Sequence, residues 1–183
     1  EDHEEVALLV APLGHVLLHV AAQLGVELPL DAAQALRLGD GRVARTDVGP
    51  LIHEAAREKV ERYVAIGQEE GAELVIGGRR PGGKLASGYF YRPTIFAGVR
   101  PKSRLEQEEI FGPVLSVISE NSFEDAVRVN NDVRYGLSSS IYTRDVNRSF
   151  RALELLDNGI TYINAPTIGA EAHMPFGAVK ATG

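Results

Sequence analysis

From residue 52 to residue 163, short apolar runs of strand length alternate with segments whose apolar residues recur at helical spacing, and this alternation restricts the chain to an α/β layer arrangement. In the clearest helical segment Ile52, Ala56, Val60, Tyr63 and Val64 fall on one face, with Glu and Arg side chains on the other. Pro50 suits a first turn, where a missing N–H costs nothing, and Gly71 suits the left-handed residue that ends a helix. A helix is therefore predicted over 51–70, with Gly67 weakening its last turns. Residues 72–76 read as a strand closed by Gly77-Gly78, followed by a turn through Gly83. The aromatic and β-branched run 89–96 reads as a strand with an edge or bend at Pro93, and 113–118 as a buried strand. Ser122 is a good N-cap with Asp125 three residues on, and Phe123, Ala126, Val127 and Asn130 continue in helical register to about Asn131. A strand over 138–143 precedes a second amphipathic pattern of Val146, Phe150, Leu153 and Leu156, which Gly159 stops. The final strand is 160–163, and 164–183 reads as a long loop with Pro166, Gly169, Pro175 and Gly177, a place where function concentrates. The sum is an α/β fold with a mostly parallel sheet flanked by helices.

Residues 1–34 are less regular. Residues 6–10 have the composition of a strand, 16–24 read as either strand or helix, and 32–38 end a helix before the turn at Gly39-Asp40-Gly41. His15 and His19 would share a helix face, but no carboxylate or cysteine stands close enough to complete a metal-ligand set, so core or boundary roles are expected. His53 and His173 stand alone and receive the same reading.

With 183 residues, 44% of them hydrophobic, the chain suffices for one sizeable core rather than two domains. Its net charge of -6, with no basic run longer than Arg79-Arg80, argues against nucleic acid as a partner. The stretch 6–22 is interrupted by Pro12, Gly14, His15 and His19 and follows an acidic flank, so it reads as neither a membrane span nor a signal peptide. There is no cysteine, which denies this chain disulfides, thiolate metal sites and thiol catalysis, and fits a reducing, cytoplasmic setting.

Four stretches remain: Asp47-Val48-Gly49-Pro50-Leu51-Ile52, Glu108-Glu109-Ile110-Phe111-Gly112-Pro113-Val114, Tyr135-Gly136-Leu137-Ser138 and Pro175-Phe176-Gly177-Ala178-Val179-Lys180. In their order and spacing, residues 35–183 resemble the aldehyde dehydrogenase family. The resemblance implies part of that family's catalytic domain, on which residues 1–34 pack as a divergent N-terminal segment of the same domain. It implies NAD or NADP as cofactor, a small-molecule aldehyde as substrate, and oxidation of that aldehyde to a carboxylic acid.

The residues of these stretches have physical readings of their own. A carboxylate only accepts, through two oxygens, so Glu109 suits the two hydroxyls of a ribose. Phe111 offers a flat apolar face for a nicotinamide ring, while Gly112 and Pro113 permit close approach. The family resemblance gives these roles to the same residues. Against them stands the plainer pattern in which Glu106, Glu108 and Glu109 form a solvated helix face and Phe111 is ordinary core. Phe176 would line the aldehyde path, with the loop 165–174 shaping substrate choice, or else anchor its loop on the core. Ala178 stands where the family usually has a second glycine, and Lys180 receives no role.

In the family a thiolate attacks the carbonyl, hydride passes to nicotinamide, and water hydrolyses the resulting thioester. By the resemblance that cysteine would fall close to residue 1, with the general-base glutamate and the dinucleotide-binding domain further upstream, and the family continues past the Lys180 motif into a segment that joins subunits. The expectation is a truncated aldehyde dehydrogenase relative, inactive alone, with no catalytic residue of its own. The competing expectation is a non-catalytic binding or assembly module that forms a homo-oligomer or pairs with a full-length relative.

Overall fold

The computed structural model describes residues 7–11, 16–22, 30–167, 173–177 and 179–182. In chain order the elements are β1 (Ala7–Ala11), β2 (Val16–Ala22), α1 (Leu30–Ala35), α2 (Glu54–Glu69), β3 (Glu73–Ile76), β4 (Thr94–Ala97), α3 (Arg104–Gln107), β5 (Val114–Glu120), α4 (Phe123–Asn131), β6 (Tyr135–Gly136), β7 (Ser138–Tyr142), α5 (Val146–Leu155), β8 (Ile160–Ile163) and β9 (Val179–Lys180). The α/β class and the helix-flanked sheet agree with the sequence. Seven strands form the main sheet in the order β3-β4-β5-β2-β1-β7-β8. β4, β5, β2, β7 and β8 run one way, and β1 and β3 run against them, so five strands of seven share a direction while three of the six interfaces are antiparallel. β5 pairs in parallel on both sides, with Thr94, Val114 and Val16 in one row.

The ambiguous stretch 16–24 resolves as the strand β2, so the helical face imagined for His15 and His19 does not exist around His19, and His15 lies outside the described residues. The core gathers Val60 and Val64 of α2, Phe96 of β4, Leu105 of α3, Val114 and Ile118 of β5, and Phe123 and Val129 of α4. Among the described residues no helix is long and apolar enough to cross a membrane.

Local chemistry moved several boundaries. Helix α2 begins at Glu54, three residues late, because the His53 Nδ1 accepts the Ala56 N–H at 3.0 Å and caps it. Before this cap the chain is extended, with the Leu51 N–H donated to the Tyr89 carbonyl, so Pro50 lies outside the helix and Ile52 is 84% exposed instead of on the apolar face. Pro93 has no N–H to donate, and regular pairing begins only at Thr94, whose N–H reaches the Pro113 carbonyl. Helix α4 starts where the capping pattern put it, with Ser122 accepting the Asp125 N–H. In α5 the small residues Ser149 and Ala152 are buried with Leu156, and Val146 and Phe150 are each 63% exposed, so the expected apolar face is largely turned outward. The loop expected over 164–183 contains β9, which pairs with β6.

Gly71 does adopt the left-handed conformation, at φ 86°. Gly67 has a packing reason: a Cβ there would stand 2.5 Å from Leu105 Cδ1 and 3.1 Å from the Phe96 ring. Both neighbours are fully buried and have nowhere to retreat. Gly67→Ala should therefore lower the unfolding free energy by about 1–2 kcal/mol in urea titration, overpacking outweighing the helix propensity gained; an unchanged or raised stability would contradict the packing.

Among the described residues Glu106 is the one buried carboxylate, at 5% exposure. One oxygen accepts the Lys102 N–H at 2.9 Å and the Gln107 side-chain amide at 2.6 Å, and the other has no partner. Burial pushes its carboxyl above the ordinary value of 4.5, with the Gln107 and Lys102 hydrogen bonds opposing. A raised folded-state value means that the favourable contribution is complete below the unfolded value and lost as pH rises through the folded one. The stability of Glu106→Gln relative to the parent should thus improve as pH rises from below the ordinary value of 4.5 through the raised folded one. Parallel pH profiles of the two proteins would contradict this.

Candidate functional site

The turn leading into β5 is built by three anchors. Ile110 is fully buried. Gly112 lies so close to α2 that a Cβ would meet Val60 Cγ2 at 2.2 Å, and Pro113 accepts the Thr94 N–H at 2.8 Å. Between two inward anchors the intervening residue has to point out. Phe111 does so in the left-handed conformation, at φ 55°, with half its surface exposed. That exposure does not fit a place in the core.

The three acidic residues of the motif have separated functions. The helix covers only Arg104–Gln107, so they do not form a helix face. Glu106 is buried as described above. Glu108 is taken up by both Arg104 nitrogens at 3.0 Å and by the Tyr63 hydroxyl at 2.5 Å. The Arg104 guanidinium first and the Tyr63 hydroxyl second hold its carboxyl below the usual range, while burial and Glu108 raise the phenol. Glu109 alone keeps a carboxylate that accepts no hydrogen bond from the described residues; its backbone carbonyl takes the Lys59 ammonium at 2.5 Å.

Lys59 is a residue the sequence reading missed. Its Nζ stands 5.5 Å from the Phe111 ring centre and 5.7 Å from that of Tyr63, bringing a cation from α2 to the motif. A signal was present, since Lys59 and Tyr63 are four apart and adjacent to the buried face, but nothing local tied α2 to a turn fifty residues on.

A cavity of about 620 Å³ opens beside the same turn, lined by Phe111 and Pro113, by Ala33 of α1 and Leu36 just after it, by Val48, Pro50 and Leu51, and by Tyr91. The first and second motif stretches thus face one another across an apolar hollow, a juxtaposition the sequence did not reveal. Asp47, at its rim, is bound by Arg37 through 2.8 Å and 3.0 Å contacts, which draw its carboxyl down to about 2.

Phe176 is also half exposed, in the turn before Gly177, whose φ is 61° and which packs on the Gly159 carbonyl just ahead of β8. Phe111 and Phe176 therefore lie at the same edge of the sheet, the N-terminal edge of its co-directional strands. They are not together: β2, β1 and β7 intervene between β5 and β8, a separation of about 19 Å at ordinary strand spacing. Residues 168–172 of the loop expected to shape substrate choice, and Ala178, lie outside the described residues. Among the described residues no three His, Asp or Glu side chains gather as a metal-binding group.

Comparison with known proteins bears on the family and the fold. The aldehyde dehydrogenase family model matches residues 19–183. A betaine aldehyde dehydrogenase of Bacillus subtilis is 42% identical over 154 residues, which cover 82% of this chain and 31% of the relative. An alpha-ketoglutarate semialdehyde dehydrogenase of Haloferax volcanii is 40% identical over 152 residues, with the same coverage of 82% and 31%. Among solved structures, HpcC from Thermus thermophilus superimposes with a TM-score of 0.78 at 41% identity, over 84% of this chain and 30% of that one. An aldehyde dehydrogenase of Mycobacterium tuberculosis complexed with NAD+ gives 0.77 at 42% identity, over 82% and 31%. The chain spans less than a third of the length of these relatives. With its fold, its ordered motifs and these matches in agreement, the chain belongs to the aldehyde dehydrogenase family.

Proposed function

We propose that this chain supplies one wall of a nicotinamide-cofactor site and of the aldehyde path beside it, for NAD(P)-dependent oxidation of an aldehyde to a carboxylic acid, and that it does not turn over alone. The observation that carries this reading is the unengaged Glu109 carboxylate two residues from a Phe111 ring held outward at the rim of an apolar cavity. A nicotinamide dinucleotide bound there would accept hydride from the substrate. Glu109 accepts the ribose hydroxyls, and Phe111 presents its face to the ring. Lys59 fixes the backbone that carries both, and its charge offsets the field of an acidic chain for a ligand that bears phosphate. Phe176 lines the aldehyde path farther along the same edge.

No side chain of the 183 residues carries a thiol, so the nucleophile for the carbonyl has to come from another polypeptide segment. Serine at its ordinary pKa does not combine attack and departure in the way a thiolate does. A reducing, cytoplasmic location is part of the same reading. The second reading, an assembly module that pairs with itself or with a longer relative, draws support from Val146, Phe150 and Leu153, which leave an exposed apolar stripe on α5.

The purified chain should give no reduced cofactor with NAD or NADP and an aldehyde. Titrated with nicotinamide mononucleotide, it should show amide shifts confined to Lys59 and the segment 109–112. Phe111→Gly should abolish those shifts yet leave the unfolding free energy within about 1 kcal/mol of the parent, because relief of the left-handed backbone offsets the loss of a half-exposed ring. Shifts centred elsewhere, or none, would overturn the cofactor wall; turnover by the isolated chain would overturn its dependence on a thiol from outside.

A further inference from the structure

Lys180 is a cation drawn into a corner of the fold, its side chain only 17% exposed and its backbone in the left-handed region at φ 57°. Its ammonium donates to the carbonyl of Asn131, the last residue of α4, at 2.7 Å and pairs with the Asp157 carboxylate at 3.3 Å. Asp157 follows the end of α5, and its N–H is held by the Asn131 side chain at 2.8 Å, while the other end of that amide donates to the Leu155 carbonyl at 2.7 Å. The terminal carbonyl of α4 and a carboxylate just beyond the end of α5 therefore converge on one ammonium. Pairing of β9 with β6 fixes the register of the same segment, and Gly136 lies so close that a Cβ would meet Val179 at 2.6 Å. Four residues upstream stands Phe176, outside the core, with Gly177 resting on Gly159. Nothing in the burial of Phe176 itself fixes where its ring points.

We infer that Lys180 is a positioning residue: its ammonium, seated where α4 and α5 end, clamps β9 and thereby fixes the turn that presents Phe176 to the aldehyde path. The inference rests on the reading of Phe176 given above only for what the ring meets. That the ring is held by Lys180 stands apart from it. The Lys180 side chain does not touch substrate in this scheme; it sets the geometry of a residue that does.

The test places para-fluorophenylalanine at position 176 and compares the fluorine spectrum of the otherwise unaltered chain with Lys180→Met, Lys180→Arg and Asp157→Asn, the fold of each being checked by circular dichroism. Lys180→Met should shift and broaden the resonance and raise amide exchange of residues 179–182 at least tenfold, with exchange in β5 unchanged. Asp157→Asn should move both in the same direction by less, and Lys180→Arg should restore the parent spectrum. An unaltered spectrum in Lys180→Met, or its unfolding throughout, would overturn a local positioning role. Adding a short aliphatic aldehyde separates the two claims: a saturable shift in the parent that disappears in Lys180→Met supports both. A Lys180 effect with no response to aldehyde keeps the clamp and removes Phe176 from the path.

Discussion

β5 is paired in parallel on both sides, and the geometry of everything around the candidate site descends from that double pairing. A strand with ladders on both flanks cannot slip by one residue without breaking both and turning its side chains to the opposite face. Val114 is therefore fixed level with Thr94 of β4 and Val16 of β2. The residues just before it inherit that position, with the Pro113 carbonyl tied to Thr94 and Gly112 pressed on Val60 of α2. Phe111 is left with one way to point, outward over the cavity.

The strained backbone at Phe111 is sustained by its neighbours. A left-handed conformation costs a residue with a Cβ about 1–2 kcal/mol. Complete burial of an isoleucine side chain such as Ile110 contributes about 1.5–3 kcal/mol, and the Gly112 contact with α2 and the strand pairing act in the same direction. Packing on either side thus prevails over the local preference. The same division of labour appears among the acidic residues. Glu106 is buried and Glu108 is consumed by Arg104 and Tyr63, so Glu109 is the carboxylate left with both oxygens available. In a second corner of the fold, Lys180 in the left-handed region is held by the last carbonyl of α4 and by the Asp157 carboxylate beyond α5.

What could be read from the sequence was what is decided locally. The capping pair Ser122 and Asp125 set the start of α4, Gly71 the end of α2, and an apolar run flanked by Gly159 the strand β8. Where a contact from far along the chain intervened, local reading failed. The hydrogen bond of Leu51 to Tyr89 kept Ile52 out of the helix, and α5 buries Ser149 and Ala152 and so leaves Val146 and Phe150 outward. The site divides in the same way. Glu109 and Phe111 are adjacent in the chain and were legible as a pair, whereas Lys59, the cavity shared with residues 48–51, and the contacts of Lys180 depend on tertiary packing.

The central claim is that Phe111 is held outward before any ligand arrives, by β5 and α2 alone. Nuclear magnetic resonance of the ligand-free chain tests it most directly, through the backbone scalar couplings of Phe111 and the cross-relaxation between its ring and the Lys59 methylenes. Couplings of a single left-handed conformer, together with ring-to-Lys59 cross-peaks, are the expected result. Averaged couplings without those cross-peaks would contradict a preorganised wall and with it the physical basis of the proposed site.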